Sequence, residues 1–330
     1  MDPGLRRDDE WGQVAAAAQL TAGRRFGSVP AMSDAWSRFK RDRPALFGLA
    51  VIALLVAAAL LAPWLAPYSP NEQFFDGLTL EGAPLAPCPS HLWGVPPPAD
   101  MPACGKYPFG TDTLGRDLLS RLLYGARTSL LIGLVANGAA VIIGTLFGLV
   151  AGYVQGWLGA LLMRFTDLMI AFPALLLAIV LAAIFAPSLW IVAMVIALVN
   201  WVQIARVIYT QTVALSARDH IEATRALGAA WPRILLVHLL PHLVPTILVY
   251  ATLGIATTVL LEATLSYLGV GVRPPTPSWG GIIFESQSYF MTAPWLVFLP
   301  GIAILLSALA FNLVGDALRD ALDPTQRGRR

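Results

Sequence analysis

The sequence predicts an all-α integral membrane protein with six transmembrane helices. Only 13% of the 330 residues are charged and 57% are hydrophobic, against about 25% charged in a soluble domain. Mean hydropathy is +0.67. Six apolar runs reach the roughly 20 helical residues that about 30 Å of hydrocarbon requires, at about 46–66, 129–151, 167–186, 189–209, 243–265 and 294–314. The net charge of +2 and the scattered Lys and Arg residues exclude a nucleic-acid partner, so membrane lipid is the first partner implied.

Basic residues set the orientation. Both termini on one side leave 17 Lys/Arg flanking the spans there and 5 on the other. The positive-inside rule then puts both termini of this multi-pass protein in the cytoplasm. Residues 1–35 lack sustained periodicity and are expected to form a mobile cytoplasmic tail. Residues 36–66 form a basic lead-in and the first span, which begins too late and runs too long for a cleaved signal.

Residues 67–128 form the longest outside loop. Its Pro-rich part holds Cys88 and Cys104, the only two cysteines. A disulfide between them would contribute about 3 kcal/mol by chain entropy, and two unpaired thiols are the other reading. One nearby histidine, His91, does not complete a tetrahedral metal set, so no metal site is expected. The stretch "FGTDTLGRDLLSRLLYGARTSL" predicts an amphipathic helix on the outer surface, capped by Thr111 or Asp112 and supported by Asp117 with Arg121 at i, i+4.

Residues 129–316 are the five-helix core, followed by a cytoplasmic tail at 317–330. Gly144, Gly148 and Gly152 recur every four residues and mark a close helix interface, within the chain or with a second subunit. Asp167 at a span entrance is expected to pair with Arg164 or snorkel. Glu262 either faces a water-filled path or accepts hydrogen bonds from a neighbouring helix. The loop from Gly269 to Gly281 carries Arg273, three prolines and Trp279, and is stiff enough to shape a gate, dock a soluble partner or plug the bundle.

Between the fourth and fifth spans, residues 216–241 read as helix, turn and helix. Glu222 follows Arg218 at i, i+4, Gly228 stands where a helix C′ glycine belongs, and Pro232 suits a first turn. Such a projection transmits a push from another protein, or is an ordinary interfacial hairpin. His238 and His242 share the i, i+4 spacing of metal ligands, but Pro241 lies between them and no Glu completes HExxH. With no GxSxG either, an intramembrane enzyme is disfavoured. The spans show no matched pair of broken segments in two halves, which disfavours a secondary carrier.

"IEATRALGAAWPRILLVHLLPHLVPTIL" resembles the EAA loop of binding-protein-dependent ABC importer permeases: Glu222, Ala223, Gly228, Ile234, Leu240 and Pro241 match, and Thr224 replaces the second Ala. "FGTDTLGRDLLSRLLYGARTSL", "LSYLGVGVRPPTPSWG" and "NLVGDALRDALDP" resemble the second permease subunit of the dipeptide and oligopeptide importers, in the same order, over Phe39 to Pro324. The resemblance implies a type I ABC importer permease fold with cytoplasmic coupling helices. It also implies pairing with a related permease, two cytoplasmic ATPase subunits docked on the EAA loop, and an extracytoplasmic solute-binding protein. The chain lacks a Walker A pattern, so the resemblance makes it a non-catalytic subunit without a cofactor, ATP and Mg being bound by the ATPases. Arg273 stands where relatives often carry an uncharged polar residue, and the cysteine-bearing insert is longer than usual. The ligands implied are di- or oligopeptides, with nickel, opines, glycosides and other peptide-like compounds sharing the architecture.

Overall fold

The computed structural model describes residues 32–88, 106–185 and 188–322, and side chains from Trp36 onward. Among the described residues there is no β-strand, only the isolated bridges Leu78 to Pro84 and Thr111 to Asp117. A short helix α1 (Met32–Phe39) leads into α2 (Arg43–Leu60). Asp42 caps α2 by accepting from the Ala45 amide at 3.3 Å, and Pro44 occupies its first turn, where a missing N–H costs nothing. After α3 (Ala62–Leu65) the chain runs through the outer loop to α4 (Leu118–Val154).

At 37 residues, α4 is about 55 Å long by helical rise, well beyond a bilayer's hydrocarbon. The surface helix expected ahead of the second span is therefore the first turns of the span itself. Its cap is Asp117, which accepts from the Ser120 amide at 2.7 Å, and neither Thr111 nor Asp112 serves. Residues 111–117 fold instead into a tight loop in which Asp112 Oδ1 accepts from the Leu114 and Arg116 amides.

The third span is also different from expectation. It is two helices, α5 (Gly156–Ala171) and α6 (Ala174–Ile184), bent by 87°. Pro173 is the cause: it supplies no N–H, and it forces Phe172 into extended backbone at φ −87°, ψ 132°. The remaining elements are α7 (Leu189–Ser216), α8 (Asp219–Ala226), α9 (Trp231–Tyr267), α10 (Trp279–Ser286) and α11 (Trp295–Leu322). Among the described residues five helices are long and apolar enough to cross a membrane, and the bent pair taken as one span makes six.

The core is organised around α4 against α7. Gly144, Gly148 and Gly152 bring α4 onto the α7 backbone: a Cβ at Gly144 would stand 2.6 Å from the Trp201 carbonyl, one at Gly148 would strike the Ala205 carbonyl, and one at Gly152 would lie 2.7 Å from Thr212 Cβ. The glycine stripe thus serves packing inside the chain rather than a second subunit. Below it, Ile208, Leu215, Ile221, Ile234, Leu235 and Leu239 join α7, α8 and the start of α9 in one buried cluster. On the other flank α1 and α2 lie against α11, where Phe39 and Ala45 meet Ala317, Ala321 and Leu322.

Candidate functional site: a projecting helix, a buried ionic clamp and a polar stripe

The residues at 216–241 form a helix, a tight turn and the start of a second helix. Helix α8 ends at a Schellman motif: the Gly228 amide donates to the Arg225 carbonyl at 3.0 Å and the Ala229 amide to the Thr224 carbonyl at 3.3 Å. Gly228 itself sits at φ +79°, left-handed backbone that an L side chain enters at a cost of about 1–2 kcal/mol. Pro232 then opens α9, whose residues Ile234–Leu239 make a π-helical turn.

The two sides of this segment differ. Ile221 and Ile234 are fully buried and Leu240 is half-buried, which ties it to the bundle. Glu222, Ala223, Gly228 and Pro241 are exposed, as are Leu227 and Trp231 on either side of the turn. The expected Arg218 to Glu222 side-chain pair is not among the ion pairs of the described residues. Arg225 instead lies over the Tyr153 ring of α4 at 5.2 Å, and His220 of α8 packs 5.8 Å from His242 of α9, ring centre to ring centre. No group of three or more His, Cys, Asp or Glu residues capable of holding a metal occurs among the described residues.

At the other end of α4 a four-residue ionic clamp is buried. Arg116 Nε donates to Asp112 Oδ2 at 2.6 Å and its Nη2 to Glu285 of α10, while Arg121 Nη1 contacts Asp112 and, at 3.0 Å, Glu285. The two arginines and Asp112 are 6% exposed or less at the side chain, and Glu285 is 19% exposed. Arg121 was expected to pair with Asp117. Both face inward, but Asp117 Oδ2 takes the Ser120 amide and hydroxyl while Arg121 turns to Asp112 and Glu285. Burial pushes the Glu285 carboxyl above its ordinary range, opposed by the nearby Arg116 charge, and burial likewise pushes up Asp117.

Glu262 and Trp279 belong to the same packed region. Glu262 is fully buried, accepting from the Ser129 hydroxyl at 3.0 Å and the Ser266 hydroxyl at 2.8 Å. Of the two readings open for it, hydrogen bonding within the bundle is what the geometry presents. Trp279 donates its indole N–H to the Leu122 carbonyl at 3.1 Å and its amide to Ser129 at 3.2 Å. Arg273 alone of the three loop and path candidates is exposed. Cys88 takes part in a disulfide, and Cys104, the chain's other cysteine, lies outside the described residues. Asp167 pairs with Arg206 of α7 and not with Arg164.

Residues 144–328 match the model of the binding-protein-dependent transport system inner membrane component family, and residues 31–87 match the N-terminal TM domain of oligopeptide transport permease C. The chain belongs to this permease family. One relative is the di/tripeptide transport system permease protein DppC of Pseudomonas aeruginosa, 43% identical over 89% of this chain and 92% of its own length. Dipeptide permease DppC of Haemophilus influenzae is 37% identical over 91% of this chain and 96% of its own. The glutathione transport system permease protein GsiD of Escherichia coli O157:H7 is 39% identical over 89% and 90%. A solved inward-facing structure of the MetNI methionine ABC transporter has the same fold at TM-score 0.52 and 18% identity, covering 62% of this chain and 96% of that one.

Membership makes this permease a multi-pass membrane component of an ABC import system, a family generally non-catalytic and working with ATPase and binding-protein partners. The buried clamp and the Asp167 to Arg206 pair escaped the sequence reading. Asp112 and Arg116 stand at i, i+4, a visible signal, but Glu285 is 169 positions from Arg116 and only the fold brings it there.

Proposed function

We propose that this permease is one of two related membrane subunits of an ATP-driven importer of di- or oligopeptides. In this reading it sits in a bacterial inner membrane with both termini cytoplasmic, receives its ligand from an extracytoplasmic binding protein and is driven by two ATPase subunits that bind ATP and Mg. The observation that carries the ligand class is the 43% identity, over nearly the whole chain, to a permease named for di- and tripeptides. The relative named for glutathione supports a second reading, a modified peptide as ligand.

The projection at 216–241 is the proposed coupling element. Its exposed Leu227 and Trp231 flank a rigid turn and offer apolar surface to a groove, while Ile221 and Ile234 anchor the other side to α7 and α9. A push on α8 therefore reaches two spans without passing through a flexible joint.

The test is ligand-stimulated ATP hydrolysis by the reconstituted complex. Glu222→Lys and Gly228→Val are expected to leave the chain inserted and abolish stimulation, whereas Gly228→Asn, which tolerates left-handed backbone, retains most of it. Stimulation unchanged in both Glu222→Lys and Gly228→Val would refute the coupling role.

A further inference from the structure

The exposed residues of the spans fall into two chemical groups. On α2 and α11 the exposed side chains are apolar over most of the length, Leu46, Phe47 and Leu54, then Phe298, Ile302 and Leu305, with Arg43 at the start of α2 and Asn312, Asp316, Arg319 and Asp320 towards the end of α11 as the charged or polar exceptions. On the half of α7 nearer Ser216 every exposed residue but Ala214 is polar. Gln203, Arg206 and Thr210 are exposed, with Asn200 and Gln211 half-buried beside them. At about 100° per residue these five positions share one arc of roughly 140°, so they form a single stripe.

Neighbouring helices border that stripe with polar groups of their own. On one edge Arg206 pairs with Asp167 of α5, the two side chains being 49% and 44% exposed. On the other edge Asn200 donates to the Thr258 hydroxyl at 3.2 Å, and Gln211 accepts from the Thr246 hydroxyl at 2.9 Å, both threonines on α9. Gln203 stands at the midpoint of the 28-residue α7, and Arg206 about 5 Å along from it by helical rise. A hydrocarbon layer of about 30 Å centred on this helix would hold both, and there a half-exposed ion pair and bare amides facing lipid would cost several kcal/mol. Water, not lipid, is the medium such a face tolerates.

We propose that the stripe Asn200, Gln203, Arg206 and Thr210 is a wall of a water-filled path, and that the Arg206–Asp167 pair is a passing point for a zwitterionic ligand. Arg206 takes up the ligand's carboxylate and Asp167 its ammonium group. The pair is neutral as it stands, so it blocks neither free ions nor water by net charge. A ligand carrying both charges replaces each partner's contact with an equivalent one, and the wall is crossed without leaving a bare charge. A ligand capped at one end leaves one side chain uncompensated. The assignment rests on the importer reading above for its ligand and on the geometry alone for the wall.

The experiment uses the full complex in vesicles with the native disulfide intact. Gln203→Cys and Thr210→Cys are expected to react with a charged, membrane-impermeant methanethiosulfonate at least tenfold faster than Leu305→Cys on the apolar face. Equal, slow rates would overturn the wall, whether lipid or a partner subunit covers the stripe. Uptake of a dipeptide, its C-terminal amide and its N-acetyl form is then compared. Arg206→Gln is expected to slow the free dipeptide about tenfold and leave the amide unchanged, and Asp167→Asn to slow the free dipeptide and spare the N-acetyl form, in line with loss of one charge-assisted contact. Equal effects on all three ligands would overturn the passing-point role. Reactive cysteines in a complex whose wild type takes up no dipeptide would support the wall and refute the peptide-importer reading.

Discussion

Arg121→Met isolates what the buried clamp contributes. Methionine keeps most of the apolar stem and removes the one guanidinium nitrogen that touches both Asp112 and Glu285. At the 3.0 Å separation from Glu285, and with an effective dielectric constant of about 20, each of those contacts carries about 5 kcal/mol of gross Coulomb energy. Desolvation of the arginine offsets much of that, and the net cost of leaving a buried charge unpaired is about 3–5 kcal/mol. With Arg121 gone, Arg116 alone faces Asp112 and Glu285, whose carboxylates then repel. Reversible unfolding by SDS titration in mixed micelles is expected to show a loss in this range at pH 8. Adding Glu285→Gln restores neutrality and recovers most of it.

The loss also depends on pH with a definite sign. The Glu285 carboxyl already lies above its ordinary 4.5 in the folded chain through burial, and removal of a guanidinium raises it further. An acid whose folded pKa exceeds its unfolded one contributes stability that is present below the unfolded value and lost as pH rises through the folded one. The variant's deficit therefore shrinks between pH 8 and pH 5. A loss within about 0.5 kcal/mol of zero, the scatter of a neutral surface change, or a double variant no better than the single, would refute the clamp's role.

Two glycines of α4 make a paired test of helix packing. Gly148→Leu drives a side chain into the Ala205 carbonyl and Ile208, and is expected to cost at least the 1–3 kcal/mol typical of overpacking, whereas Gly138→Ala, with nothing within 4 Å, is expected to gain up to about 1 kcal/mol of helix propensity; the same unfolding titration measures both. For the cysteines, alkylation of the denatured chain is expected to add no mass without reductant and two adducts after reduction, and labelling before reduction would rule out a Cys88 to Cys104 bridge.

Several features were legible because they are local. Gly228 followed a polar helix of limited length, so its left-handed backbone could be anticipated from spacing alone, and the Schellman bonds sit where that spacing put them. Pro173 was equally visible in the sequence, yet hydropathy treats a proline among leucines as one residue in a run and overlooks its missing N–H. The span was therefore drawn straight where the chain turns by 87°. The charged stretch ahead of α4 misled for a different reason. Its alternating Asp and Arg residues predict an amphipathic helix on the outer surface, and their burial is possible only because Glu285 completes the charge balance.

Hydropathy and capping chemistry, both short-range, predicted up to six spans and placed the turn at Gly228. Whether a polar side chain at membrane depth meets water, lipid or another side chain depends on neighbours more than a helix turn away. So Glu262 among its serines, the α4 glycines on α7, and Arg206 beside Asp167 were decided only when the helices packed.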